Sequence, residues 1–475
     1  MQMIDVPTLG APAPVPAPAR TGAHLPPAGW RPDSWRGLPI SQQPDWADPG
    51  GLGRVLDEIS QLPPLVLPGE IEDLRAGLAR VADGRAFFLQ AGDCAERFAS
   101  CIENGVRGKL RLILQLAILL SYGSGLPVVK VGRIAGQFGK PRSSPTEIVD
   151  GVELPVYRGD IVNDTAPTPA ARTPDVQRLR SAYHHASATL NVLRALLQEG
   201  FADLEQVHAW NQEFVRRNPA ARQHEDVAAD IAWALRFMAA CGGERTDRSA
   251  PQDHLYTSHE ALLPGWEEAL TRPDEETGAW YGTSAHMLWV GDRTRGRDGA
   301  HIEYLSGIAN PVGVKIGPDV TPTELRLLCE RLDPGHTPGR LVLISRLGAD
   351  RVLDLLPPLV DEIRATGRPV VWACDPMHAN TFRSRSGYKT RRLSDITREV
   401  AGFFAVHRAA GTFPGGIHLE LSGDDVTECL GGVEEVLDVD LGHRYETACD
   451  PRLNAGQSIE LAFAVARLLR QHCTA

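Results

Sequence analysis

Four residues of this chain could share one metal ion. Cys94, His378, Glu420 and Asp450 offer a thiolate, an imidazole and two carboxylates. The soft sulfur argues against Mg2+ or Ca2+ and leaves Mn, Fe, Co or Zn as the divalent ion. The four are far apart in sequence, so spacing alone does not join them; what they share is a place at or just beyond the end of an apolar run. A second group is cationic. Arg133, Arg293, Lys315 and Arg346 each stand at the end of such a run, and Lys140 and Arg142 lie in a loop between runs. Arginine clamps phosphate and carboxylate because its fork binds two oxygens together. The formal net charge is −11, so these cations would form a local positive focus in an acidic protein, suited to an anionic substrate. Rim salt bridges, which are common and worth little, are the competing explanation. The cations outnumber the acids visible beside them in sequence, which favours an anion site.

The apolar runs themselves are short: Phe87-Phe88-Leu89, Pro127 to Gly132, His286 to Gly291, Val312 to Val314, Leu341 to Ser345, Val370 to Ala373 and Gly415 to Leu419. Buried parallel strands read as continuous apolar runs, and a (β/α)8 barrel puts its reactive residues where strands end. That fold class, a TIM barrel, accounts for both halves of the pattern. The third strand, expected at His254 to Thr257, has the weakest signal. Residues 1–28, rich in Pro and Ala, are expected to be extended or disordered. Residues 29–84 form an N-terminal extension with Trp30, Trp35 and Trp46, expected to pack on the barrel or on a partner subunit. The barrel then occupies 85–475. Its elements include helices at Glu103–Leu120, Pro322–Leu332, Ala349–Thr366, Ser394–Ala410 and Asn454–Gln471, with Ser394 as an N-cap. The loop from Gly136 to Arg172 is long enough to be functional. Three consecutive helices at about 175–242 exceed the one that a crossover needs and read as an insertion. Asp424-Asp425 is expected to open a helix, and His184-His185 to face solvent.

Apolar residues make up 43% of the 475 and charged residues 23%, the balance of a soluble globular protein. The acidic total argues against nucleic acid as a partner. No run is long enough to span a membrane. Eight scattered cysteines without a secretory leader suggest reduced thiols and a cytoplasmic location. Neither GxGxxG nor GxxxxGK[ST] occurs, and no organic cofactor is expected. Cys449 precedes Asp450, so Cys94 and Cys449 are expected to be able to pair when oxidised without metal.

Several longer motifs resemble type II (class II, plant/actinobacterial-like) 3-deoxy-D-arabino-heptulosonate 7-phosphate (DAHP) synthases. They are Leu89 to Glu96, Lys130 to Gln137, Lys140-Pro141-Arg142-Ser143, Gly291 to Arg295, Asp298 to His301 and Asn310 to Lys315. Cys374 to His378, Gly415 to Glu420 and Tyr445 to Asn454 complete the set. The resemblance covers about Trp30 to the C-terminus. It implies a barrel that condenses phosphoenolpyruvate with erythrose 4-phosphate, the first step of the shikimate pathway. It implies Cys94, His378, Glu420 and Asp450 as metal ligands, with Mn or Co, or else Fe or Zn. Arg133, Lys140, Arg293, Lys315 and Arg346 would clamp phosphoenolpyruvate; Arg142, Ser143 and Lys389 would reach the aldose phosphate. Asp292 would steer the attacking water, and Lys140 or metal-bound water would protonate the alkoxide. The chain departs from the family's pattern at Asp292 (usually Glu), Ala379 (usually Gly) and Gly296 (usually Gln). The helical insertion resembles the inhibitor sites for aromatic amino acids in some members. A homo-oligomer and docking of another shikimate-pathway enzyme are further expectations. A secondary-metabolism paralogue using an amino-aldose phosphate, or a non-catalytic scaffold, are the rival readings.

Overall fold

The apolar runs form parallel strands. In chain order these are β1 (Phe87–Gly92), β2 (Val128–Arg133), β3 (Tyr256–Glu260), β4 (Met287–Val290), β5 (Val312–Ile316), β6 (Leu341–Ser345), β7 (Val371–Cys374) and β8 (Gly416–Glu420). The structure, a computed structural model, describes residues 24–149, 151–217, 225–240 and 254–473. Most of the Pro/Ala-rich arm lies outside the described residues. Neighbours in sequence pair in parallel, and β8 pairs with β1 from Phe88–Gly416 to Gly92–Glu420, closing a barrel. Because one face of each strand points into the barrel and the other lies under helices, both are dry and the hydropathy does not alternate. The third strand runs to Glu260 rather than stopping at Thr257. Its last residues, Ser258, His259 and Glu260, are polar and were unreadable as strand, yet Ser258 and His259 are buried and hydrogen-bonded to Gly132 O and Glu267 respectively.

Helices connect the strands: Glu103–Ser124, Ala300–Gly307, Pro322–Leu332, Val352–Thr366, Leu393–Ala410 and the terminal Ala455–Cys473. Pro322–Leu332 begins with a capping box, Thr321 Oγ1 accepting from the Glu324 amide while Glu324 reaches back to Thr321. Ser394 does not cap its helix; Arg392 stands at that position and Ser394 is already helical. Asp424 and Asp425 open no helix, since the Asp424 amide instead bonds to Ser422 Oγ in an irregular stretch. The ring closes where Ala455–Cys473 meets Glu103–Ser124. There a Cβ on Gly123 would lie 2.5 Å from Ala466 Cα, so only glycine permits the approach.

The insertion comprises Gln177–Gln198, Leu204–Arg217 and Glu225–Ala240. Leu193, Leu196 and Val207 pack on Val106, Leu110 and Leu114, the outer face of the first barrel helix. Only half of the His pair faces solvent: His184 does, whereas His185, pointing away from it, stacks on Phe98 at 4.4 Å. The long loop contains a hairpin, Thr146–Val149 with Val152–Pro155, and one helical turn, Pro169–Arg172.

In the N-terminal extension, helix Pro68–Ala82 presents Leu74, Leu78 and Val81 to the barrel interior. They meet Phe88, Val129, Met287, Val342 and Val371 near the strand starts and plug the floor. Trp30 is 7% exposed, donates its indole N–H to Glu303 O and lies over Gly307. The tryptophan arm thus lies against the barrel's own surface. The opposite end of the barrel, where the strands finish, is left open.

Candidate active site

At the open end lies a cavity of about 1130 Å³ lined by Arg133, Lys140, Arg142, Ser143, Asp292, Arg293, Lys315, Arg346, His378, Lys389, Cys449 and Asp450, among others. Every strand-end cation singled out from the sequence faces it. The lining carries eight Arg or Lys side chains against six Asp or Glu, so its balance is positive inside a chain of net charge −11.

Below this cavity the candidate ligands converge. Donor atoms of Cys94, Glu420 and Asp450 lie within 4.8 Å of one another. His378 Nε2 is 2.9 Å from Glu420 Oε1 and 3.9 Å from Asp450 Oδ2. The Asp450 amide donates to Cys94 Sγ at 3.3 Å. A thiol, an imidazole and two carboxylates meeting over a few ångströms fit a divalent transition metal. His378 is oriented for this: its Nδ1 faces Asp375 Oδ2 at 2.7 Å, which turns Nε2 towards the cluster. Burial raises Glu420 and Asp450, but neighbouring charges overcome it and hold both carboxyls well below the usual range. For Glu420 these are His378, Lys140, Arg391 and Arg133; for Asp450, Lys140 leads. Burial pushes the Cys94 thiol well up, so its ionisation depends on a cation in place.

Lys140 Nζ lies among the same atoms, 3.0 Å from Glu420 Oε1, 2.9 Å from Asp450 Oδ2 and 3.2 Å from His378 Nε2. Arg133 is 1% exposed. It donates from Nε to Asp93 O, from Nη2 to Cys94 O and Glu420 Oε1, and stacks 5.1 Å from the Trp289 ring centroid. Lys315 pairs with Asp375; burial lowers it to about 8 despite that partner. Arg346 Nη1 donates to Asp292 Oδ2 at 2.8 Å, and Arg295 Nε to Asp292 Oδ1 at 3.0 Å. Arg293 Nη2 donates to Ser143 Oγ at 2.6 Å. Arg142 bonds Glu147 Oε2 and Tyr157 O and approaches Cys449 Sγ at 3.3 Å. Lys389 pairs with Asp450.

These partners correct one expectation. The cations are not left unpaired: Arg133, Lys140, Arg142, Lys315, Arg346 and Lys389 each meet a carboxylate, although the six share five, with Glu420 and Asp450 each serving two. Glu420, Asp292 and Asp375 come from the ends of other strands, which sequence proximity does not reveal. Among these cations Arg293 meets a hydroxyl instead. Cys94 and Cys449 are free thiols.

Sequence reasoning missed several residues here. Asp375 sits inside a motif already noted but carried no assignment. Arg391 donates from Nη2 to Glu420 Oε2 at 2.9 Å from a stretch with no apolar run. Glu260 ends β3 and was hidden when that strand was placed too early. Its Oε1 is buried without a hydrogen-bond partner, and burial raises its pKa. An unpaired buried carboxyl lining a cavity is a signal that only the folded arrangement supplies.

The chain is similar to known proteins. The chain is 52% identical over 438 residues, 92% of itself and 97% of the relative, to a phospho-2-dehydro-3-deoxyheptonate aldolase of Streptomyces coelicolor. It is 51% identical over 443 residues to the phospho-2-dehydro-3-deoxyheptonate aldolase AroG of Mycolicibacterium smegmatis, covering 92% of this chain and 94% of that one. A solved phospho-2-dehydro-3-deoxyheptonate aldolase from Francisella tularensis aligns at a TM-score of 0.47 with 13% identity, over 88% of this chain and 96% of its own. The model of the class-II DAHP synthetase family matches residues 30–466, and the chain belongs to that family.

Proposed function

We infer that this protein is a DAHP synthase, condensing phosphoenolpyruvate with D-erythrose 4-phosphate and water to give DAHP and phosphate. The observation that carries the reading is the meeting of Cys94, His378, Glu420 and Asp450 beneath a positively lined cavity in a chain of this family. In this reading those four residues hold a divalent ion, Mn or Co in preference to Fe or Zn. Such an ion would act as a Lewis acid on the aldehyde oxygen, worth several kcal/mol of charge stabilisation.

The chain's own residues supply the rest. Arg133, Lys140, Arg293, Lys315 and Arg346 hold the phosphate and carboxylate of phosphoenolpyruvate, while Arg142, Ser143 and Lys389 receive the aldose phosphate. Fixing both reactants in register can contribute about 7–11 kcal/mol. C3 of phosphoenolpyruvate attacks the aldehyde carbon, and cationic character develops at C2. Asp292, held by Arg295 and Arg346, orients the water that adds there. The C2–O bond to phosphorus's ester oxygen then breaks and phosphate departs. Lys140, whose ammonium is braced by Glu420 and Asp450, delivers a proton to the new alkoxide.

The test is phosphoenolpyruvate consumption with erythrose 4-phosphate by EDTA-stripped protein, with and without Mn2+ or Co2+. Metal-restored consumption with equal phosphate release is the expected result. Absence of turnover with metal bound would overturn the choice of aldose and favour an amino-aldose phosphate; absence of metal binding would favour a scaffold. Inhibition by Phe, Tyr or Trp through the inserted helices is tested by activity at millimolar amino acid. A homo-oligomer, a cytoplasmic location and docking of another shikimate-pathway enzyme accompany this reading; no described helix is long and apolar enough to cross a membrane.

A further inference from the structure

Under the cavity a chain of buried polar side chains crosses the barrel. Arg133 Nη1 on β2 lies 2.5 Å from His418 Nε2 on β8. His418 Nδ1 lies 2.6 Å from Gln90 Oε1 on β1. Gln90 Nε2 donates to Ser258 Oγ on β3 at 2.9 Å, and Ser258 Oγ donates to Gly132 O at 3.0 Å. Gln90, Ser258 and His418 are all 0% exposed. The chain therefore starts at Arg133 and returns to the peptide that precedes it.

The direction of every hydrogen follows from one fact. Guanidinium is a donor only, so His418 Nε2 must be a lone pair. The ring is then neutral with its proton on Nδ1, which requires an acceptor. Gln90 must present its oxygen there, leaving its NH2 for Ser258, whose own hydrogen goes to Gly132 O. Each alternative orientation sets two donors face to face in a dry interior, where an unmade hydrogen bond is costly. The same accounting defines what Arg133 offers. Of its five N–H groups, Nε–H is committed to Asp93 O, both on Nη2 to Cys94 O and Glu420, and one on Nη1 to His418. One Nη1 hydrogen remains beside the cavity that Arg133 lines.

We propose that Gln90, His418 and Ser258 are positioning residues: they lock His418 in its Nδ1–H tautomer so that Arg133 aims one N–H at phosphoenolpyruvate. The proposal rests on the reading of Arg133 as a phosphoenolpyruvate ligand, so its experiment has two arms. The first needs no substrate. Full-length Zn2+-loaded protein labelled with 15N-histidine is examined by NMR, with His418 assigned by the resonance lost in His418→Gln. An unprotonated Nε2 and a protonated Nδ1 are expected; an Nε2–H tautomer or an imidazolium overturns the relay, whatever Arg133 binds.

The second arm is kinetic. His418→Phe removes the acceptor and should raise KM for phosphoenolpyruvate by about 10- to 100-fold, the value of one hydrogen bond to a charged group. The erythrose 4-phosphate KM and the metal content should stay unchanged. Gln90→Met should act in the same direction. His418→Gln, whose amide oxygen can stand where Nε2 stood, should recover most of the loss. Equal losses on both substrates, or no recovery with glutamine, would make His418 a packing residue and overturn the positioning role. If Arg133→Lys leaves the phosphoenolpyruvate KM unchanged, the substrate half of the proposal falls while the tautomer still decides the relay.

Discussion

Asp375→Asn should disable both halves of the site at once. Asp375 is 0% exposed. Its Oδ1 accepts from the amides of Met377 and His378, and its Oδ2 accepts from Lys315 Nζ and His378 Nδ1. Asparagine has one oxygen. If that oxygen keeps the amides, its NH2 faces two further donors, and the bonds to Lys315 and His378 are both lost. Hydrogen bonds to charged groups are worth about 1.5–3 kcal/mol each, so the pair amounts to about 3–5 kcal/mol. Expressed in kcat/KM for phosphoenolpyruvate, that is a fall of about two to four orders of magnitude. Freeing His378 should separately weaken Mn2+ binding about 10- to 100-fold, read by titration calorimetry. There is also a pH signature. Burial already holds Lys315 down at about 8, with Asp375 opposing the shift; without that carboxylate it falls further. The variant's defect at saturating Mn2+ should therefore be larger at pH 8 than at pH 6, where more of the amine is charged. Mn2+ affinity and phosphoenolpyruvate KM both within about threefold of the parent would refute the assignment of Asp375 as the common anchor.

Further outcomes follow from other residues. Asp292→Asn, which removes the carboxylate proposed to orient water, should lower kcat by about 10²-fold with metal affinity intact; an unchanged kcat refutes that role. His407 is buried against Trp372 and Phe403, and burial lowers it from 6.5 to about 3. Its folded pKa is depressed, so its protonation favours unfolding: stability is fully present above about pH 6.5 and declines as pH falls towards 3. The loss between pH 7 and 5 is about 2 kcal/mol, and His407→Met should reduce that acid sensitivity in urea melts. Gly307→Ala sets a methyl 2.0 Å from the Trp30 ring and should cost about 1–3 kcal/mol, seen as a lower Tm. Metal-stripped protein treated with peroxide should form a Cys94–Cys449 disulfide, and bound metal should block it; intact-mass mapping with both thiols free counts against this.

The strand ends were legible because a barrel strand is dry on both sides, and each apolar run marks where its last residue must emerge. That puts Arg133, Lys315, Arg346 and Glu420 on one face from the sequence alone. β3 was misplaced for the converse reason. Ser258 and His259 are polar residues whose partners, Gly132 O and Glu267, lie on other elements, and with them Glu260 went unseen. Pairing was illegible for the same cause: Asp375 and Lys315 are 60 residues apart and meet only because β5 and β7 end at one rim. The metal set rested on residue types and shared strand ends, and the structure brings those four side chains together. Ser394 and Asp424 show the limit of capping signals: Ser394 is already helical behind Arg392, and Asp424 is drawn to Ser422 in a stretch with no helix.

The floor plug also bears on the order in which this protein can be made. Leu74, Leu78 and Val81 leave the ribosome before every strand they finally touch, and the partners on β6 and β7 are synthesised more than 250 residues later. Until then that face has only its early neighbours to cover it. The seam between β8 and β1 closes later still, when Gly416–Glu420 returns to residues made at the outset. Such closure is slow because the enclosed chain must first be drawn in. The helix that completes the finished barrel thus waits for part of its apolar cover through much of synthesis, the stage at which chaperone capture and aggregation compete.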